Sequence, residues 1–448
     1  MPKAVLNRRH FLGAAGGLFA AARFPHAVAA DGLPEVKNPR TTSGDDRHEP
    51  QWEDRLTITV GPQKADISGN TDRPIQAAVD YVTRLGGGTV QLLPGTYTLR
   101  AAIWLNSKVR LLGSGADSII TKHPSIAAKL SDDSDWYDQE ITLVDAKGFE
   151  VGDSVCLQVK DPHNGGDDVL KRVLVARSGN RFKLDKALRE NFWLSGAPTI
   201  SNLFPLLTSE YTSDVTIENL TLDGNGKNNV NFNGNYGGCI FLQDCNRYNI
   251  RNVEARNYNG DGISWQISHD VVVENCHSHD NADLGLHPGS GSQRPRMRSN
   301  KLERNGIGIF FCWGIKYGLA EKNVIQGNRD YGVSIGHNDT DNIIRDNDIQ
   351  YSGKVGVLFR DENRGKDFWP NRNLVEKNRI INSGPEEGVA VDVHGKVHDV
   401  TIAHNEIRET RGAMKRTAIR IAKEAKNIHV EQNKIEGFAV EIADSRNV

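Results

Sequence analysis

The stretch EKNVIQGNRDYGVSIGH, residues 321–337, is followed by RDNDIQYSGKVGVLFRDE at 345–362. The second repeats the first 24 residues on, Asn323 against Asn347. Each piece carries short runs in which β-branched and aliphatic residues alternate with polar ones, separated by Gly and Asn. Neither contains a run of helical period, so the unit reads as strands joined by turns. Working outward, the same unit recurs from about residue 210 to the end. An Asn marks each copy: Asn219, Asn252, Asn275, Asn300, Asn323, Asn347, Asn378, Asn405 and Asn433. A repeat of this length made of strands is one coil of a solenoid. Parallel stacking places equivalent residues about 4.8 Å apart, so the recurring Asn predicts a ladder of side-chain amides that also satisfies turn backbone.

Towards the N-terminus, NTDRPIQAAVDYVTRLGGGTVQLLPGTYTL (70–99) predicts an amphipathic helix, a Gly turn and a strand, and VRLLGSGADSII follows at 109–120. Together with the repeats, this opening resembles the pectate-lyase-like right-handed parallel β-helix superfamily. The resemblance implies an all-β solenoid whose open end is capped by the helix, and it implies glycan processing. Gly113-Ser114-Gly115 lacks the third Gly of a nucleotide loop and leads into a strand. Residues 131–200 carry strand patterns without the Asn mark, and predict a small inserted β-module. The predicted organisation is a signal segment at 1–30, a linker at 31–50, the cap and first coils at 51–130, the module at 131–200 and the solenoid at 201–448.

LNRRHFLGAAGGLFAAARFPHAVAA (6–30) holds Arg8-Arg9, a weakly apolar Ala/Gly run and an A-x-A site at 27–29. It resembles a twin-arginine export signal, which implies the export machinery as a partner and a periplasmic or extracellular location. No other run is apolar enough to cross a membrane, so no membrane association is expected once the signal is removed. A formal net charge of −2 excludes a broad basic field for nucleic acid. Five cysteines, three of them within apolar strand patterns, predict buried thiols and no zinc spacing.

The coils align at one strand through GISWQIS, DLGLHPG, GIFFCWG, GVSIGHN, GVLFRDE and GVAVDVH. In this alignment Gln266, His287, Cys312, Gly336, Arg360 and Asp392 form one outward row, with Trp313, His337 and Asp361 one residue further on. Interchangeable Thr, Ser or Lys would suit a solvated face. Gln, His, Arg, Asp and Trp in consecutive coils suit a glycan groove instead. The long turns HPGSGSQRPR (287–296) and RDENRGKDFWPNRN (360–373) flank the same row, and insertions in solenoids gather on the binding face.

Two chemistries fit these side chains. β-Elimination from a uronate-containing polysaccharide needs a cation for the carboxylate and a base for the C5 proton. Arg360 supplies the first and His337 or His287 the second, with Asp361 set to orient His337. Glycoside hydrolysis needs paired carboxylates, for which Asp361 or Glu362 with Asp392 are candidates and Asp339 a third. C5-epimerisation and non-catalytic glycan binding are the remaining readings. Gln266, Trp313, Glu362 and Asp339 are expected to contact substrate. No metal ligand set is evident and no cofactor is expected, though carboxylates crowding the turns make calcium the one conceivable ion.

Overall fold

A computed structural model of the protein describes residues 32–37, 49–160 and 165–447. The export segment at 1–30 lies outside the described residues. Helix α1 spans Asp72–Arg84. Its buried residues Ile75, Ala78, Val79 and Val82 fall on one face and join the core of the solenoid, so the helix closes the first coil. Among the described residues no helix is long and apolar enough to cross a membrane.

Behind the cap the chain winds into a parallel β-helix with one continuous apolar core from Val60 to Ile428. Among the described residues, eleven strands form the sheet that carries the row of unusual side chains. In chain order they are β1 (Ile103–Trp104), β2 (Leu207–Glu210), β3 (Gly238–Gln243), β4 (Asp261–Gln266), β5 (Leu284–Gly289) and β6 (Ile307–Phe310). There follow β7 (Tyr331–Ile335), β8 (Val355–Phe359), β9 (Val389–Val393), β10 (Thr417–Ile421) and β11 (Val440–Asp444). Ile263, Leu286, Ile309, Val333, Val357, Val391 and Ile419 pair in one column through β4 to β10 and point into the core.

The recurring Asn residues divide into two columns. Asn300, Asn323, Asn347, Asn378, Asn405 and Asn433 form a ladder: the Nδ2 of each bonds the next Oδ1 at 2.9–3.0 Å, and each Oδ1 from Asn323 onward also accepts the backbone N–H of the residue one coil back. Asn219, Asn252 and Asn275 stand one place earlier in the turn, with left-handed φ of 58°, 53° and 53°. Ser299, Lys322 and Asp346 hold that left-handed place in the next coils. The expected single column therefore breaks between Asn275 and Asn300. Asn suits both places, because its short amide tolerates the left-handed region and also completes a ladder. A second ladder, Asn281–Asn305–Asn328, supports a different turn.

Between β1 and β2 the chain leaves the stack and, among the described residues, forms a six-stranded antiparallel sheet from Ala127 to Ser201, with its own core around Leu157, Phe182 and Phe192. Two of its strands, Ser154–Lys160 and Asp167–Ser178, lie against the outward side of β1 to β3. All five cysteines are free thiols; four are buried and Cys312 is half-buried.

Candidate functional site

The observed strand register differs from the sequence alignment at two coils. Ser264 pairs with His287, Phe310 with Ser334, Ser334 with Leu358, Leu358 with Asp392 and Asp392 with Arg420. Gln266 instead lies beside Gly289, which bridges to Cys312. His287 and Asp392 are thus two residues out of step with Gln266 and Cys312. A slip of two keeps every side chain on its own face, so the apolar pattern that orients a strand cannot detect it. The turn lengths decide it.

His287 is buried on the outward side of β5, and its Nδ1 lies 2.7 Å from Oδ2 of Asp261, the fully buried first residue of β4. Oδ1 of Asp261 accepts the Leu284 N–H at 3.0 Å, which fixes the carboxylate plane. Burial raises the Asp261 pKa, and His287 works against that rise. The Nε2 of His287 is shielded from solvent and has no hydrogen-bond partner. Phe310 presents an edge contact to the ring at 5.4 Å, and the nearby Gln266 is buried with its Oε1 also unpartnered. A carboxylate on one ring nitrogen and a free lone pair on the other is the arrangement that makes an imidazole a base. Asp261 escaped the sequence reading, although a signal existed. It stands in NGDGISW where the following coils place Leu284, Ile307, Tyr331 and Val355.

Arg360 lies flat along the face. Its guanidinium donates to Ser334 Oγ at 2.8 Å, Phe311 O at 3.0 Å and Glu362 Oε2 at 3.0 Å, and stacks 4.3 Å over Phe310. Phe310 thus separates Arg360 from His287. Gly336 permits this course, since a Cβ there would stand 1.9 Å from Arg360 Nη2.

His337 forms a second group with Trp313 and Phe368, whose rings lie 5.1 and 5.4 Å away. Its Nδ1 accepts the Arg364 backbone N–H at 3.0 Å, which places the proton of the neutral ring on Nε2. Burial holds the His337 pKa below the usual value, Arg364 and Arg360 add to this, and Glu362 opposes it. That bond to Arg364 holds the Nδ1 that Asp361 was expected to orient; Asp361 is exposed beside Gly395 and Trp369. Burial raises Glu362 too, but Arg360, Arg364 and Trp313 outweigh it and hold its carboxyl low. Trp313 is 40% exposed, with Arg364 stacked on its ring.

Asp339 is fully buried and accepts the N–H groups of Gly314, Ile315 and Gly336 at 2.7–2.9 Å. It ties the turn bearing Trp313 to the strand end bearing His337. Burial pushes its carboxyl up to about 6, against Arg360 and those donors. Asp392 forms a third group: its carboxylate holds Arg420 and lies 2.7 Å from His394. His394 also feels the charge of Asp361, the other carboxylate considered for hydrolysis.

Among the described residues, Glu254, His277 and His279 have ligand atoms within 4.8 Å of one another. They stand on the larger sheet, away from His287, and Arg256 already holds Glu254.

A family model described as a right-handed β-helix region matches residues 207–368. No curated protein matches the sequence. The surface adhesin PfbA of Streptococcus pneumoniae is similar in structure at a TM-score of 0.52 and 15% identity, over 83% of this chain and 89% of that one. ORF18 of Geobacillus virus E2 gives 0.52 and 13%, over 86% of this chain and 62% of that one. The A-module of the mannuronan C-5 epimerase AlgE6 of Azotobacter vinelandii gives 0.50 and 15%, over 83% and 94%. At these identities the likeness is one of fold.

Proposed function

We propose that this right-handed parallel β-helix protein is an exported carbohydrate-active enzyme that cleaves a uronate-containing polysaccharide by β-elimination, with His287 as the base. The observation that carries this reading is the buried Asp261–His287 pair, whose Nε2 is the one unspent ring nitrogen of the pair. In the proposed step Nε2 removes the proton from C5 of a uronate. The C4–O4 bond breaks, the C4–C5 double bond forms, and the imidazolium returns the proton to the departing O4. Asp261 holds the ring and stabilises the cation that forms. Arg360, across Phe310 from His287, is the permanent charge placed to oppose the substrate carboxylate. Trp313 and His337 offer a ring face and an N–H donor to a neighbouring sugar.

C5-epimerisation begins with the same proton removal and is the second reading, favoured by the same nitrogen. Paired-carboxylate hydrolysis is less well supported, because Asp392 is spent on Arg420 and His394. Export rests on the twin-arginine segment and glycan binding on the character of the outward row. The deciding experiment incubates the purified protein with a panel of uronate polymers. Ultraviolet absorbance of an unsaturated product supports elimination, whereas new reducing ends without it overturn elimination in favour of hydrolysis. A changed uronate composition with no cleavage identifies epimerisation.

A further inference from the structure

Lys171 lies on the module strand Asp167–Ser178 and reaches across to the solenoid, its Nζ 4.0 Å above the Phe241 ring. That nitrogen is shielded from solvent and donates no hydrogen bond. Its nearest carboxylate oxygen, Glu210 Oε1, stands 3.9 Å away, beyond hydrogen-bond reach. An ammonium has three donors and is costly to bury unsatisfied. It borders a cavity of about 290 Å³ between the module and the outward side of β1 to β3, walled by Trp104 and Tyr236 and edged by Gln243 and Glu210. Arg172, on the same rim, is spent on the carbonyls of Lys171, Ala187 and Leu188. Lys186, also on the rim, is exposed to solvent, so the buried unsatisfied cation is Lys171.

The place of this cavity in the stack matters. Phe241 pairs with Ser264, and Ser264 with His287. The ammonium thus lies over the outward row two coils before His287, about 10 Å along the stack axis at the spacing of parallel strands. Beyond it the module covers the face. Between the cavity and His287 the buried Ser264 donates to the Gly234 carbonyl at 2.7 Å, so the segment bearing Gly234 and Tyr236 crosses the row and separates the two.

We infer that the cavity is an anchoring site for a terminal uronate of the glycan, separate from the row at His287, with Lys171 binding its carboxylate and Trp104 and Tyr236 flanking the ring. The inference rests on the reading of the protein as one that takes uronate glycans and adds a second sugar site outside the groove. The volume suits one sugar ring, being at the lower edge of roughly 300–1,000 Å³ for ligand pockets. Glu210 favours a singly charged carboxylate over a phosphate dianion, because like charge at that distance opposes a second negative charge.

Calorimetric titration with monomeric uronic acids, their methyl esters and inorganic phosphate tests this directly. The free uronate is expected to bind, the ester at least 10-fold more weakly, and phosphate more weakly than the uronate. Lys171→Met is expected to weaken uronate binding at least 10-fold and Glu210→Gln to strengthen it. Equal binding of uronate and ester, or of uronate by wild type and a folded Lys171→Met, overturns the proposal. Should Lys171→Met not fold, the direction of the Glu210→Gln effect decides. Because binding is read without turnover, a Lys171-dependent uronate site in a protein that eliminates nothing leaves the anchor standing and removes only the catalytic reading.

Discussion

Asp261 Oδ2 and His287 Nδ1 meet at 2.7 Å across adjacent coils, both side chains buried, while the opposite nitrogen of the ring is left without a partner. This relationship orders the candidate chemistry on the face. Replacing His287 with Asn should lower the initial rate on the active polymer by roughly 10²–10⁴-fold, the usual worth of a positioned acid–base group. Asp261→Asn should lose activity as well while substrate affinity persists. Initial rates with binding titrations check this; a His287→Asn variant with near-normal turnover removes the residue from the mechanism.

Gly336→Ala probes Arg360 without touching its charge. The added Cβ meets Nη2 at 1.9 Å, so the guanidinium must leave its place over Phe310. Activity on a uronate polymer should fall while the midpoint of thermal unfolding moves only a few degrees, since the clash is with the end of a flexible side chain. Unchanged turnover would show that the position of Arg360 is immaterial.

The two Asn columns predict opposite behaviour. Asn323→Ala removes amide bonds to Met297 O and Asn347 Oδ1 and leaves the Asn300 N–H unpaired, and should cost about 1–3 kcal/mol for each buried group orphaned. Asn275→Gly at φ 53° removes only a backbone preference and should be near neutral. Urea unfolding of both variants measures the difference; equal losses would merge the columns again.

Stability should respond to pH through two histidines of opposite sign. His337 titrates below its ordinary value because burial disfavours its charge. As pH falls through the unfolded value near about 6.5, the unfolded chain takes up that proton first, so the folded state loses stability on the acid side. His394 titrates above its ordinary value because the Asp392 carboxylate lies 2.7 Å from its Nε2; its contribution is present below that same pH and is lost as pH rises through the raised folded value. His337→Gln should therefore flatten the acid-side decline and His394→Gln the alkaline-side one. Urea midpoints across the neutral range test both slopes.

The sequence by itself determined the solenoid, the helical cap and the face on which polar and aromatic residues accumulate. Alternation in GVSIGHN and GVLFRDE and the 24-residue return of Asn323 at Asn347 are local and periodic, so one coil repeats the information of the next. Only the tertiary structure decided which outward residues are neighbours. A shift of two residues costs the apolar pattern nothing, yet it set His287 beside Ser264 and Phe310 and moved Asp392 to Arg420. It also brought Asp261 onto His287, 26 residues apart, and carried Lys171 from the module over Phe241. Such contacts depend on turn length and on how a separate sheet docks, and neither leaves a period in the chain.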